Sequence, residues 1–237
     1  MRKEIHGSAI RSCFEAFENI RNAMITMYSR CKDPKHAHIL FQSIKAKCII
    51  TWNSMLSGYT NIDQSEEASF LFQVMLLSGV KPNYVTIVSI LPLCTRVANL
   101  QHGKEFHCYI TRCTVFEDHL LLWNALVDMY ARSGKVLAAK RAFDLMRKSD
   151  VVTHTSLIAR YGMQGEGQAG IKLFEEMINL QIKPDHVTMV AVLSACSHCG
   201  LVIESQVWFE KMHSFYDLIP CLEHFSCMVD LYGRWSF

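Results

Sequence analysis

Cys196 and Cys199, in the run CSHC, form the one spacing in this chain that suggests a thiolate metal site. A structural zinc takes four ligands, and no second pair follows at ligand spacing. Cys94, 102 residues before Cys196, has no such partner. Zinc-dependent deamination would need a His-x-Glu that carries the general acid/base and a Pro-Cys-x-x-Cys that supplies thiolates. No His here is followed two residues later by Glu, and Cys196 is preceded by Ala195. The glycine-containing run GMQGEG, 162–167, would bind phosphate only between a strand and a helix, and it reads as a turn between helices. No catalytic residue, cofactor or metal ligand is expected, and the cysteines read as reduced, mostly small core residues.

A different set of residues recurs. Asn22, Asn53, Asn124, Thr155 and Ser226 each stand six positions before a tyrosine (Tyr28, Tyr59, Tyr130, Tyr161, Tyr232), with apolar residues at helix-compatible places between. Amide and hydroxyl groups of this size can donate to or accept from a ligand edge without filling the space it needs. Taken singly they would be helix caps or surface residues; their common phase is what marks them as a group. Tyr28, Tyr59, Tyr130 and Tyr161 are in turn 13 residues before Phe41, Phe72, Phe143 and Phe174. Ala37, Ala68 and Ala139 sit four residues before their Phe, and Gly170 takes that place in the fourth case. The elements that must position the polar set are therefore pairs of helices. The first ends near its Tyr, a short turn follows, and the second carries Ala and Phe, both core residues. Gly170 should weaken its helix by ~1 kcal/mol relative to Ala.

The pattern has a longer period. Asn22 to Asn124, Asn53 to Thr155, Asn124 to Ser226, Pro82 to Pro184 and Cys94 to Cys196 are all 102 residues apart. This super-repeat divides into stretches of 35, 36 and 31 residues. In order, the chain reads as the end of a 36-type repeat (1–17, whose KEIH matches the KEFH at Lys104–His107), a 31-type (18–48) and a 35-type (49–83). Then come a 36-type (84–119), a 31-type (120–150), a 35-type (151–185), a 36-type (186–221) and the first helix of a last repeat (222–237). Pro34 falls near the start of a second helix, where proline is tolerated. Pro92 falls inside a first helix, where a kink is expected. No helix pair buries its apolar face alone, so the pairs must stack. The expected fold is all-α: a right-handed α-solenoid, or superhelix, of antiparallel helix-turn-helix repeats. Because both ends stop inside a repeat, a truncated chain is expected, with Trp235–Phe237 poorly ordered.

Bulk properties are compatible with this. Half of the 237 residues are hydrophobic, 19% are charged and the net charge is +2, so no strong basic field announces a nucleic acid. The opening MRKEIHGSAIRSCF has no apolar signal core, and Glu4, Glu15 and Glu18 do not suit a transit peptide. No run of 18 apolar residues suggests a membrane span.

Repeats of 35, 36 and 31 residues in rotation, with VVTHTSLIARYGMQGEGQAGIKLFEEMINLQIKPD, NALVDMYARSGKVLAAKRAFDLM and VLSACSHCGLVIESQVWFEKM as their wording, resemble the pentatricopeptide repeat family. The resemblance is to the plant subclass built from P, L and S motifs, here of 35, 36 and 31 residues, and LEHFSCMVDLYGR looks like its final S motif. It implies sequence-specific binding of single-stranded organellar RNA, in a mitochondrion or chloroplast, one base per repeat. The fifth and last residues of a repeat would read the base, and the second would pack against it. That assigns Asn53 and Asn83 with Ile50 (a pyrimidine, C over U), Asn124 and Asp150 with Leu121 (U), and Thr155 and Asp185 with Val152 (G). Asn22 reads weakly, because its repeat ends in Cys48. The 36-type repeats present Val88 and Val190 at the fifth place and are expected to act as spacers, and Ser226 has no last residue to pair with. The resemblance further implies target recognition for C-to-U editing, with a deaminase-bearing or editing-factor protein supplied in trans. Two other readings stay open on the residues alone: a protein-binding scaffold of the tetratricopeptide kind, and a non-functional fragment.

Overall fold

The structure, a computed structural model, describes residues 17–95 and 100–235 together with positions 4, 7, 8 and 11. The partial repeat expected over 1–17 lies almost wholly outside these residues. The described residues form helices and turns, with no strand. Two compact bodies are present, Met1–Cys108 and Tyr109–Phe237.

In the first body lie α1 (Glu18–Arg30), α2 (Pro34–Ser43), α3 (Ile49–Asn61), α4 (Ser65–Leu77) and α5 (Tyr84–Ile90). Helix α6 (Leu100–Arg112) contains the division between the two. In the second body lie α7 (Leu120–Arg132), α8 (Val136–Asp144), α9 (Val151–Met163), α10 (Gly167–Asn179), α11 (His186–Cys199), α12 (Val202–Ser214) and α13 (Leu222–Trp235). Within each body the first helices pack on one another in sequence, α1 on α3 on α5, and α7 on α9 on α11 on α13. Second helices fold back on their own first helices in α1–α2, α3–α4, α7–α8, α9–α10 and α11–α12. This two-layer stack of hairpins is the expected all-α solenoid.

Local chemistry explains the element ends. Asp33 accepts from the His36 backbone N–H at 3.4 Å and Pro34 takes the first helical place of α2, where its missing N–H costs nothing. The turns at Gly134 and Gly165 have φ of 72° and 80°, which glycine adopts without a Cβ penalty. Pro92 does more than kink its helix. Helix α5 stops at Ile90 and a 3₁₀ turn, Leu91–Thr95, follows. A proline there has no N–H to donate and its ring crowds the carbonyl four residues back. The corresponding residue 102 positions later is Ser194, and α11 runs unbroken through it to Cys199.

The core is built from the recurrent residues. Tyr28, Tyr59, Tyr130 and Tyr161 are buried, as are Ala37, Ala68 and Ala139. Phe41 meets the Trp52 ring edge-on at 5.0 Å, and Phe143 meets His154 in the same way at 4.9 Å. The Phe of one repeat thus packs on the fourth residue of the next. Where that fourth residue is Met189, Phe174 instead meets Trp208 at 5.0 Å. Trp235 departs from the expected disorder. Its indole N–H donates to the Ser197 carbonyl at 3.0 Å and its ring lies against Gly200. Residues 236–237 lie outside the described set. No described helix is long and apolar enough to cross a membrane.

Two glycines one helix apart make opposite demands. A Cβ on Gly170 would meet the Ile158 carbonyl oxygen at 3.4 Å and Tyr161 Cβ at 3.5 Å, which is ordinary contact. A Cβ on Gly162 would lie 2.5 Å from Ala195 Cα, where α9 and α11 cross too closely for any side chain. Gly170→Ala is therefore expected to raise stability by ~1 kcal/mol, and Gly162→Ala to lower it by about 1–3 kcal/mol through overpacking. Denaturant melts of the two variants against the parent chain measure both.

Candidate nucleic-acid interface

The first helices bring the polar set to their N-terminal turns, where Asn53 and Asn124 meet the residues that end their repeats. Asn53 Nδ2 donates to Asn83 Oδ1 at 3.1 Å. Asn124 Nδ2 donates to both carboxylate oxygens of Asp150 at 3.2 Å. These pairs are 30 and 26 residues apart in sequence. They meet because the last residue of one repeat is also the N-cap of the next first helix. Asn83 Oδ1 accepts the Thr86 N–H at 3.0 Å, Asp150 Oδ1 accepts the Thr153 N–H at 2.9 Å, and Asp185 Oδ1 accepts the Thr188 N–H at 2.8 Å. The capping role and the pairing role are held by the same atoms.

Thr155 and Asp185 are not bonded directly. Thr155 Oγ1 lies 2.8 Å from Thr188 Oγ1, which donates to Asp185 Oδ1 at 2.8 Å. Asn22 has only a long contact, 3.9 Å from its amide to Cys48 Sγ, and its Oδ1 is buried without a hydrogen-bond partner. Ser226 is exposed and its hydroxyl turns back to the Leu222 carbonyl at 2.8 Å. Ile50, Leu121 and Val152 are exposed to 59%, 67% and 57%, large values for apolar side chains on helices that otherwise bury much of their apolar surface. Val85 and Val187, in the same place of the 36-type repeats, are also exposed. Ile50, Asn53, Asn83 and Val85 together line a groove of about 400 Å³, with Arg30 at its side. That gives it apolar surface on two sides, polar groups between them and one cation.

Four threonines that the sequence pattern did not single out complete this face. Thr51, Thr86, Thr153 and Thr188 occupy the third place of the repeat after each pair, and all are buried. Thr86 Oγ1 is 2.7 Å from Asn53 Oδ1 and Thr153 Oγ1 is 2.5 Å from Asn124 Oδ1. A signal was present: Thr51 to Thr153 and Thr86 to Thr188 are again 102 residues apart.

The electrostatics are set by burial and by these bonds. For Asp150, burial works to raise the carboxyl pKa, but hydrogen bonds from the Thr153 side chain and backbone and from Asn124 outweigh it and hold the group below the usual carboxylate range. His154 is fully buried, and burial holds its pKa below the ordinary imidazole value. Its Nδ1 bonds the Asp150 carbonyl at 2.9 Å, which must be as a donor, so the partnerless Nε2 is unprotonated. The cysteines do not assemble a metal site at Cys196–Cys199. Cys196 is buried, its thiol pushed up to about 12 by burial, and Cys199 Sγ accepts the Gly167 N–H at 3.1 Å. His186, Cys221 and His224 do bring potential ligand atoms within 4.8 Å. Both nitrogens of His224 are already engaged, Nδ1 with Cys221 and Nε2 with the His186 carbonyl at 3.0 Å, so the cluster serves to brace the start of α13.

With this geometry in place, comparison with known proteins is direct. The PPR repeat family matches residues 47–95 and 149–198, and the PPR repeat matches 20–49, 121–151 and 187–216. These spans take in more than half of the chain, which belongs to the pentatricopeptide repeat family. Among its relatives, the pentatricopeptide repeat-containing protein At1g22830 of Arabidopsis thaliana is 56% identical over 98% of this chain and 33% of its own length. Two other Arabidopsis relatives, 36% and 37% identical, are named mitochondrial and chloroplastic. The chain spans about a third of the length of the curated relatives it matches. Maize PPR10, a pentatricopeptide repeat protein of known crystal structure, superimposes with a TM-score of 0.70 at 20% identity, over 90% of this chain and 31% of that one. PPR10 in complex with an 18-nt psaJ RNA element gives a TM-score of 0.56 at 19% identity, over 98% of this chain and 40% of that one.

Because His154 is held neutral, folding loses stability as pH falls below the ordinary imidazole value near 6.5: the unfolded chain binds a proton there that the folded chain does not. The denaturation midpoint is expected to drop between pH 7 and pH 5. Replacing His154 by Phe, which keeps the ring packed against Phe143, should flatten that slope in parallel melts.

Proposed function

We propose that this chain binds single-stranded RNA in organellar RNA metabolism and reads it base by base through Asn53/Asn83, Asn124/Asp150 and Thr155/Asp185. The observation that carries the reading is that each polar pair, 26 or 30 residues apart along the chain, is joined directly (Asn53/Asn83, Asn124/Asp150) or through Thr188 (Thr155/Asp185), beside an exposed Ile50, Leu121 or Val152. A base needs both: a flat apolar surface for its face and donors or acceptors for its edge. An apolar groove would favour a peptide, whereas this one is polar along its middle. Asn22 with Cys48 contributes little discrimination, since a thiol is a weak hydrogen-bonding partner. Val88 and Val190 offer the base no polar group, so the 36-type repeats at 84–119 and 186–221 act as spacers between the reading repeats.

The chain acts as an adaptor rather than an enzyme in this reading. Target recognition for C-to-U editing, with a deaminase-bearing or editing-factor protein in trans, is the finer function we infer. The family resemblance supports it. The organelle, mitochondrion or chloroplast, follows the names of the relatives.

Selection of bound sequences from a random single-stranded RNA pool is expected to enrich a pyrimidine, one unspecified spacer position, then U followed directly by G, with binding that weakens as salt rises because phosphate contacts release counterions. Enrichment of no sequence would sink the base-reading proposal. Exchanging Thr155 for Asn should move the preference at one position from G toward U, by about 1 kcal/mol, as read in competition binding.

A further inference from the structure

We propose that the buried threonine in the third place of the following repeat, Thr86, Thr153 or Thr188, is a positioning residue that decides which hydrogen-bonding groups of a reading pair are left for the base. The inference rests on the base-reading function proposed above and explains its selectivity. Protons are the issue. A hydroxyl has one to give, and where it goes fixes the polarity of everything bonded to it.

In the Asn53/Asn83 pair the order can be followed from the backbone outward. The Thr86 N–H is an obligate donor, so the atom it meets at 3.0 Å must be the Asn83 oxygen. The Asn53 group that approaches the same oxygen at 3.1 Å must then be its nitrogen; the Thr86 hydroxyl lies 2.9 Å from that Asn83 oxygen too, but two N–H groups already occupy its lone pairs, so the hydroxyl gives its proton to the nearer Asn53 oxygen at 2.7 Å. That hydroxyl itself accepts the Asn83 N–H at 3.1 Å. Both amide oxygens are thereby turned inward, and what remains for a base is N–H from each asparagine. Two donors suit cytosine, whose N3 and O2 both accept, and oppose uracil, whose N3 carries a proton.

At Asn124/Asp150 the same threonine position gives a different result. Thr153 N–H and hydroxyl both reach Asp150 Oδ1, at 2.9 and 2.7 Å, and the hydroxyl also lies 2.5 Å from the Asn124 oxygen. The second Asn124 N–H and the spare lone pairs of Asp150 Oδ2 remain. One donor beside one acceptor matches uracil O4 and N3–H.

At Thr155/Asp185 the threonine acts as a relay. A carboxylate is the stronger acceptor, so the Thr188 hydroxyl gives its proton to Asp185 Oδ1 at 2.8 Å. It must then accept from Thr155, 2.8 Å away, and the Thr155 oxygen is left with lone pairs only. The pair presents acceptors alone, which suit guanine N1–H and N2–H₂ and oppose adenine N1. Where the relay has no amide or carboxylate to work on, at Cys48 with Thr51, the Asn22 oxygen is left buried and unbonded. The polarity of that pair is not fixed.

The test uses the full chain, two substitutions and two sets of RNAs. Thr188→Val keeps the shape of the side chain and removes the hydroxyl; Thr188→Ser keeps the hydroxyl. One RNA set varies the base opposite Thr155/Asp185, and the other varies the base opposite Asn124/Asp150. We expect Thr188→Val to reduce the G-over-A preference at the first position roughly three- to tenfold, the effect of one hydrogen bond. The U preference at the second position should be kept, and Thr188→Ser should restore the G preference. Unchanged G-over-A discrimination in Thr188→Val overturns the inference, and so does an equal loss at both positions, which is what a purely structural threonine would give. A parent chain with no base preference at either position refutes the base-reading function itself, and the inference with it. If Thr188→Val does not fold, as judged by its melt, Thr153→Val is read in the same way. Its expected result is loss of U-over-C preference with the G preference intact, and retention of U over C overturns the proposal.

Discussion

One side-chain oxygen at the end of each reading repeat carries much of this architecture. In Asn83, Asp150 and Asp185 that oxygen accepts a backbone N–H from the first turn of the next helix. An uncapped helix would leave those N–H groups seeking water, and a cap of this kind is worth about 1 kcal/mol. Because the cap belongs to one repeat and the helix to the next, the bond also joins neighbours. The fifth residue of the earlier repeat reaches the cap either directly, as Asn53 and Asn124 do, or through a threonine, as Thr155 does. Folding, stacking and the proposed recognition therefore depend on the same few atoms. Recognition groups held by a cap need no separate ordering when a ligand arrives, which lowers the entropic cost of binding.

The remaining core holds that junction at the right distance. Edge-on contacts from Phe41 to Trp52 and from Phe143 to His154 set the spacing between one second helix and the next first helix. Close approach of first helices is permitted by Gly162 against Ala195. The pattern bends where a residue type forbids it. Pro92 ends α5 after about two turns and a 3₁₀ segment follows, while Ser194 lets α11 run on. His154 shows the same economy: it fills an aromatic-sized space and bonds the Asp150 carbonyl, tying the core to the cap.

Membership in the pentatricopeptide repeat family fits this division of labour. In this stack Ile50, Leu121 and Val152 are each exposed near the polar residues of their own repeats. The chain spans about a third of the length of its relatives. A few reading pairs are a small share of what an array of that length presents.

Sequence by itself determined the period and the class of fold. Small polar residues six places before a tyrosine, a phenylalanine 13 places later and a 102-residue super-period leave stacked helix pairs as the arrangement that buries every apolar face. The fifth-place candidates were also legible, because they recur in phase; the residues that end each repeat and the apolar second residues came only from the resemblance to the family. Tertiary structure decided how they are connected. That Thr155 reaches Asp185 only through Thr188, that Asn22 is left with an unbonded oxygen, and that Trp235 is held by Ser197 and Gly200 all depend on contacts between residues more than 25 positions apart. Periodicity says which face a side chain occupies. It does not say which neighbour receives its proton, since that is fixed by distances of a few tenths of an ångström between helices that the pattern alone does not place.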